Sequence, residues 1–114
     1  MPYLKIQTNQ RVSKKAKDAV LKEASVIIAQ ELEKPEDFVM IAIQPETAMI
    51  FAGTHDPVAF LELKGIGLTV KKAKPLSGIL CEMIEDNLGI PKDRVYVKFI
   101  DVNPAMWGWK GDTF

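Results

Sequence analysis

Residues 34–41, KPEDFVMI, are matched in outline by residues 90–97, IPKDRVYV, which lie 56 positions further along the chain. Each stretch has a proline, an aspartate two residues later and a valine four residues later. Proline followed by acidic residues is typical of a turn, and the apolar residues that come next predict a strand. Agreement over a turn and a strand is improbable by chance. It indicates that the chain contains two copies of one structural unit.

The residues that precede each matched stretch extend the repeat. A helical pattern of apolar residues covers residues 13–33 before the first turn and residues 75–88 before the second. Strand-like alternation at residues 3–6 and 60–63 precedes the two helices. Each unit is therefore predicted to be β-α-β, in which a right-handed helical crossover joins two parallel strands.

Single residues indicate where the helices begin and end. Ser13 offers a hydroxyl that can cap the free amides of the first helix. Pro75 suits the first turn of a helix, because the N–H that it lacks would have no partner there. Gly89 supplies a C-terminal stop. We therefore expect the second helix to begin at Pro75.

The repeat predicts a single domain of the α+β class over residues 1–114, with pseudo-repeats at about residues 1–56 and 57–114. Its two layers would be a four-stranded mixed sheet and two helices on one face of that sheet. Residues 48–51 and 106–109 are expected to form short edge strands that could extend a neighbour's sheet. The strands carry apolar residues on both faces, so we expect a closed symmetric oligomer to cover the second face.

Composition excludes several classes of protein. Hydrophobic residues make up 47% of the 114, which is typical of a globular chain and not of a disordered one. Fifteen basic residues balance fifteen acidic ones, so no nucleic acid or anionic membrane is expected as a partner. The sequence shows no secretory signal and no apolar run near the ~20 residues that span a bilayer. We expect a cytoplasmic protein.

The chain has one cysteine and one histidine. An intramolecular disulfide is therefore excluded, and neither a transition-metal site nor a cofactor is expected. Cys81 lies in an apolar helical stretch, where a buried inert thiol is the usual finding. A nucleophilic pair of Cys81 and His55 is the minor alternative.

The second residue of the chain is proline. Proline is small enough for cytosolic processing to remove Met1, which would give Pro2 a free secondary amine. An α-amino group titrates near pH 7.7–8.0, and burial against apolar surface would lower its pKa. A neutral amine of this kind can act as a general base or as a nucleophile. Proline here also serves simply to protect an amino terminus, so the dipeptide alone does not decide between catalysis and protection.

Further short motifs are spread over nearly the whole chain. They are Met1-Pro2, Thr8-Asn9, Lys34-Pro35, Pro45, Gly65-Ile66-Gly67, Asp93-Arg94-Val95-Tyr96, Asp101 with Asn103, Gly108-Trp109 and Thr113-Phe114. In this order and spacing they resemble the tautomerase superfamily, and more narrowly the family of macrophage migration inhibitory factor and D-dopachrome tautomerase.

The resemblance implies a homotrimer with active sites at the subunit boundaries. It also implies keto–enol tautomerisation of small keto or enol acids such as phenylpyruvate, without metal or cofactor. Pro2 would be the catalytic base, and Lys34 would stabilise the developing enolate. The substrate-binding residues that it implies are Tyr3, Phe38, Gly65, Ile66, Tyr96, Lys98, Trp107, Trp109 and Phe114.

Some of these residues have structural explanations as well. A lysine such as Lys34 is favoured at a helix C-terminus by the macrodipole alone, and the tryptophans could equally be structural. Two departures from the family pattern also matter. Lys98 stands where the family usually has asparagine, which adds a second cation near the site. Val58 and Leu61 stand where the animal cytokines have a CxxC motif, so thiol-redox activity is not expected.

Two other functions compete with the tautomerase. One is a cytokine-like binding protein with a vestigial pocket, which would act on a protein receptor after non-classical secretion. The other is dehalogenation or hydration of unsaturated acids, which generally needs additional acidic or arginine groups. Arg11 and Arg94 flank a loop and a turn, and we expect Arg94 to be structural.

Overall fold

Both copies of the repeated unit form a strand, a helix and a second strand in the computed structural model, which describes residues 1–114. The first copy consists of β1 (Tyr3–Thr8), α1 (Lys14–Glu31) and β2 (Met40–Gln44), and the second of β3 (Ala59–Gly65), α2 (Val70–Leu88) and β4 (Val95–Asp101). Two short strands, β5 (Gly108–Trp109) and β6 (Asp112–Thr113), follow as a hairpin.

The four long strands form one mixed sheet in the order β2-β1-β3-β4. Strands β1 and β2 are parallel, as are β3 and β4, whereas β1 and β3 meet antiparallel. The two β-α-β units are therefore joined through their first strands. The predicted two-layer α+β fold with a mixed sheet is confirmed.

The matched prolines have the same local role in both units. Pro35 and Pro91 precede short 3-10 turns at Glu36–Phe38 and Lys92–Arg94, and both have φ near −61°. Proline fixes φ close to this value, so it prepares the chain for the turn without loss of a needed donor. The repeated turn therefore leads into β2 and into β4 with the same backbone geometry.

Both helices pack on one face of the sheet and form the core there. Alternate residues of β1 and β3 point into this layer and are buried, whereas the intervening residues are only partly buried. Fifteen buried residues form one cluster: Leu4, Ile6, Val20, Ala24, Ile28, Leu32, Ala59, Leu61, Leu63, Leu76, Leu80, Met83, Ile84, Ile90 and Val95. One polar side chain is also buried in this layer, and its hydroxyl is paired: Thr8 Oγ1 donates to the Val58 carbonyl at 2.8 Å.

The opposite face of the sheet has no cover within the protomer. Lys5, Glu62 and Lys98 lie side by side across it in neighbouring strands. Tyr96, on the same face, is 62% exposed. An uncovered face was expected because the strands carry apolar residues at both odd and even positions. The residues across the middle of this face, however, are charged.

The second helix begins earlier than predicted. Thr69 caps it, because its hydroxyl accepts a hydrogen bond from Lys72 N at 3.3 Å, and Pro75 lies inside the helix. The expected start at Pro75 is therefore wrong. Pro75 is tolerated there since this part of the helix is exposed, so water can reach the carbonyl that loses its partner. Gly89 ends the helix with φ +68°, as the sequence predicts.

The short strands also differ from the prediction. Residues 48–51 form no strand in the protomer, and Phe51 makes only an isolated bridge with Thr54 across a tight turn. Residues 106–109 contribute only Gly108–Trp109, which pairs with β6 and not with the edge of the main sheet. Positive φ at Lys110 and Gly111 makes this tight hairpin. Neither α1 nor α2 combines the length and the apolar character that a membrane-spanning helix requires.

Arg94 holds the long connection between β2 and β3. Its Nε donates to the Pro57 carbonyl at 2.8 Å, and its Nη2 donates to the Asp56 carbonyl at 3.0 Å. Both Nη atoms also reach the Phe51 carbonyl at 3.3 Å, and the guanidinium lies 5.1 Å from the centre of the Phe51 ring. One side chain therefore satisfies three backbone carbonyls of a loop that has little structure of its own.

Replacement of Arg94 by methionine should destabilise the protein by about 1–3 kcal/mol, because three carbonyls lose a charged donor. The matched control is Lys92→Met in the same turn, where the side chain is exposed. Urea denaturation followed by circular dichroism measures both. Equal stability of the two variants would show that the Arg94 contacts contribute nothing.

Candidate active site

A cavity of about 220 Å³ opens beside the amino terminus. Its lining is mostly apolar and combines the start of β1, the turn before β2 and the C-terminal segment. The residues are Met1, Pro2, Tyr3, Asp37, Phe38, Val39, Met40, Trp107, Gly108, Trp109 and Phe114. Five residues predicted from the sequence to bind substrate, Tyr3, Phe38, Trp107, Trp109 and Phe114, thus surround the predicted base, Pro2.

Pro2 is buried and held from both sides. Its carbonyl accepts a hydrogen bond from Met40 N at 3.0 Å, which fixes it to β2. On the other side the pairing of Tyr3 with Lys64 brings Pro2 next to Gly65. A Cβ atom on Gly65 would lie 3.7 Å from Pro2 Cα, within ordinary van der Waals contact, so the two residues are neighbours. The start of β1 therefore has a fixed position at the cavity.

The electrostatics favour a neutral amine at this position. Burial lowers the pKa of the Met1 amino group below its ordinary value of 8.0, and the positive charge of Lys34 lowers it further. Both effects disfavour the charged form. If Met1 is removed, the amine moves one residue inward to Pro2, which is the more buried of the two.

Lys34 stands where α1 gives way to the turn that leads to β2. Its backbone N–H donates to the Ala29 carbonyl at 3.0 Å, so the last turn of the helix fixes the start of its side chain. The side chain itself is exposed and does not line the cavity. Lys34 acts on the amino terminus through its charge.

Aromatic side chains form one wall of the cavity. Trp109 meets Phe38 edge to face with ring centres 5.3 Å apart, and it stacks on Phe114 at 6.0 Å. The ammonium group of Lys110 lies 5.8 Å from the centre of the Trp109 ring. Because Trp109 belongs to the β5–β6 hairpin, the hairpin is attached to the turn before β2 through this contact. The wall is suited to an aryl or other flat apolar group.

The segment Gly65-Ile66-Gly67 continues β3 beyond the sheet. Gly65 lies beside Pro2, whereas Ile66 and Gly67 line a separate shallow depression with residues 101–104. Gly67 N donates to Asp101 Oδ1 at 3.0 Å, and Val102 N donates to the Gly65 carbonyl at 2.9 Å. The end of β4 therefore holds the segment at two points.

Tyr96 and Lys98 lie away from the cavity of their own protomer. Tyr96 pairs with Phe60, close to the far end of β1, and its ring packs on Phe51 at 5.0 Å. It lines a second cavity of about 250 Å³ together with Ile50 and Arg94. Lys98 is exposed in the middle of the open sheet face. Both remain predicted site residues that would have to approach a cavity from another subunit.

Five lining residues were not among the predicted site residues: Met1, Asp37, Val39, Met40 and Gly108. Their sequence signals are weak: three of them lie within two positions of Phe38, and Gly108 precedes Trp109. What brings the residues around Phe38 to Pro2 is the register of β1 and β2, in which Tyr3 pairs with Met40. Strand register cannot be read from either strand alone.

Cys81 and His55 do not contribute to the cavity. Cys81 packs against the core from α2, and burial raises the pKa of its thiol, although the charge of Lys92 opposes this effect. His55 lies in the exposed loop after β2, where its carbonyl accepts from Asn9 Nδ2 at 3.0 Å. No group of three or more His, Cys, Asp or Glu side chains is arranged to hold a metal ion.

Comparison with known proteins gives the same family from sequence and from structure. The family described as macrophage migration inhibitory factor matches residues 1–114. A macrophage migration inhibitory factor homolog of Brugia malayi is 37% identical over 115 residues, covering 100% of this chain and 99% of the relative. The macrophage migration inhibitory factor of Mus musculus is 35% identical over 116 residues, with the same coverage.

Solved structures agree with this result. A macrophage migration inhibitory factor homologue from Prochlorococcus marinus superposes with a TM-score of 0.93 at 39% identity, and 98% of each chain is covered. The macrophage migration inhibitory factor of Toxoplasma gondii gives 0.93 at 32% identity, covering 98% of this chain and 99% of the other. The chain belongs to the macrophage migration inhibitory factor family of the tautomerase superfamily.

Proposed function

We propose that this protein is a keto–enol tautomerase that acts on phenylpyruvate-like α-keto acids with the amine of Pro2 as general base. The observation that carries the proposal is an amino terminus with a lowered pKa at the edge of an apolar cavity. Membership of the family supports tautomerase or cytokine-like function in general. The cytoplasm, where Met1 can be removed from a following proline, is the compartment in which we propose that it acts.

The reaction moves one proton and needs no electron donor or acceptor. The neutral amine of Pro2 takes a proton from the carbon next to the carbonyl, and the electron pair of that C–H bond becomes part of an enolate. The protonated amine then returns the proton to the enolate oxygen, which gives the enol. A base that is neutral near pH 7 serves both steps, because it must accept and then release the same proton.

The other residues in the proposal divide into charge stabilisation and binding. Lys34 supplies positive charge for the enolate oxygen. Ile66, held next to Gly65, offers a backbone N–H to the substrate carboxylate. Apolar side chains hold the aryl group and exclude water, and these are Tyr3, Phe38, Trp107, Trp109 and Phe114.

We further propose a homotrimer in which each cavity is completed by a neighbouring subunit. The uncovered sheet face and the exposed Tyr96 support assembly through this side of the protomer. Tyr96 and Lys98 would then reach the neighbour's cavity. With lysine in place of the family's usual asparagine, the site would carry two cations and favour substrates with a carboxylate.

A cytokine-like role is the second candidate, with a protein receptor as partner. It is supported by the full-length similarity to relatives that are named for inhibition of macrophage migration. A macrophage migration assay separates the two functions. A Pro2→Gly protein that still inhibits migration would have a receptor function independent of the tautomerase.

Pro2→Gly should lower kcat/KM for phenylpyruvate tautomerisation about 10- to 100-fold, because glycine keeps an amine but loses the rigid ring that aims it. The measurement is ultraviolet absorbance of the enol, on protein whose mass shows that Met1 is absent. Pro91→Ala, at the corresponding turn of the second unit, is the control and should keep the wild-type rate. A full rate in Pro2→Gly would contradict the proposed base.

The tautomerase rate should depend on the protonation of one amine. Burial and Lys34 lower the pKa of the Met1 amino group, and we expect the same two causes to lower the pKa of the Pro2 amine once Met1 is removed. The active neutral form should then disappear as the pH falls through that lowered pKa. Lys34→Met removes one cause of the shift, so the midpoint of the pH–rate profile should move upward. An unchanged midpoint would contradict electrostatic control by Lys34.

Ile50→Glu should convert the proposed trimer into monomers and reduce tautomerase activity. Ile50 is 63% exposed in the protomer and lies in the apolar cavity that contains Tyr96, so a charge there would be buried in an assembled interface. Val26→Glu, at an exposed valine on α1, is the control and should leave the mass unchanged. Light scattering gives the mass, and a monomeric wild type would contradict the trimer.

A further inference from the structure

The peptide bond between Gly65 and Ile66 has a defined orientation. Its carbonyl oxygen, on Gly65, accepts a hydrogen bond from Val102 N at 2.9 Å and therefore points toward β4. The chain contains no cis peptide, and in a trans peptide the N–H points away from the carbonyl. The Ile66 N–H thus points to the opposite side of β3, the side on which β1 and Pro2 lie.

This N–H is free in the protomer. It donates to no backbone carbonyl, although the register of β1 and β3 places Met1 opposite Ile66. Gly65 meanwhile lies beside Pro2, since a Cβ on Gly65 would be in ordinary contact with Pro2 Cα at 3.7 Å. A free donor therefore lies on the side of β3 that faces the proposed base, although Ile66 itself lines the separate depression with residues 101–104.

The direction of this donor depends on a second contact. Gly67 has φ +79°, a conformation in which the chain leaves the strand, and its N–H donates to Asp101 Oδ1 at 3.0 Å. Val102 N fixes the segment before Ile66, and the Asp101 carboxylate fixes it after Ile66. Without the carboxylate, the segment would be held at one end only.

We propose that Asp101 is a positioning residue, which aims the Ile66 N–H at the carboxylate of the substrate by holding Gly67. This inference rests on the proposed tautomerase function and names a residue outside the substrate contacts. Asp101 does not touch the substrate. Its negative charge would repel an anionic substrate, so any benefit to carboxylate binding must come from the hydrogen bond and not from the charge.

Two substrates and two main variants test the role. Phenylpyruvate carries the carboxylate, and its methyl ester does not. Asp101→Ala removes the acceptor, whereas Asp101→Asn removes the charge and keeps an oxygen that can accept from Gly67 N. Asp86→Ala, at an exposed carboxylate near the end of α2, controls for the loss of one negative charge.

In Asp101→Ala we expect KM for phenylpyruvate to rise about tenfold with kcat little changed, because ground-state and transition-state binding are lost together. KM for the ester should change less than twofold. Asp101→Asn and Asp86→Ala should keep the wild-type preference for the acid. Turnover of the ester shows that a variant is folded, and Asp101→Ser gives a second variant too short to reach Gly67 N.

Three results would overturn the inference. The first is an unchanged acid-to-ester preference in Asp101→Ala and Asp101→Ser. The second is a loss of preference in Asp101→Asn equal to that in Asp101→Ala, which would assign the effect to charge. The third is a wild type that does not prefer the acid. A wild type inactive on both compounds would instead overturn the proposed function, and the role of Asp101 with it.

Discussion

The position of β1 between two other strands is the constraint on which the rest of the structure depends. Hydrogen bonding on both sides, to β2 and to β3, keeps the first residues of the chain in place. An amino terminus is usually mobile, because nothing follows it on one side. Here Pro2 is buried at the start of an interior strand, and the pKa of the amino group just before it is lowered by burial.

The two copies of the repeated unit have the same β-α-β backbone, but the side chains at their equivalent turns make different contacts. In the first copy the turn before β2 brings Phe38 to the cavity. In the second copy the corresponding turn before β4 carries Arg94, whose guanidinium organises a long loop through three carbonyls. The same turn therefore occurs twice in the architecture, and its equivalent residues differ in role: Phe38 lines the cavity, whereas Arg94 holds a loop.

Much of the fold could be predicted from the sequence because the repeat shows the same order of strand, helix, turn and strand in two places. Gly89 and Ser13 mark helix ends with specific chemistry, and both predictions hold. The start of α2 was missed because Pro75 is a stronger signal in sequence than Thr69, although the threonine makes the cap. The cavity was predictable only in part. Phe38 and Trp109 meet through a hairpin and a turn, and such contacts between distant segments leave no periodic pattern.

Both ends of the chain line the same cavity, since Met1 and Phe114 are among its walls. Domains are commonly joined to one another through their termini, which usually lie free at the surface. In this protein a polypeptide attached at either end would leave from the mouth of the cavity and crowd it.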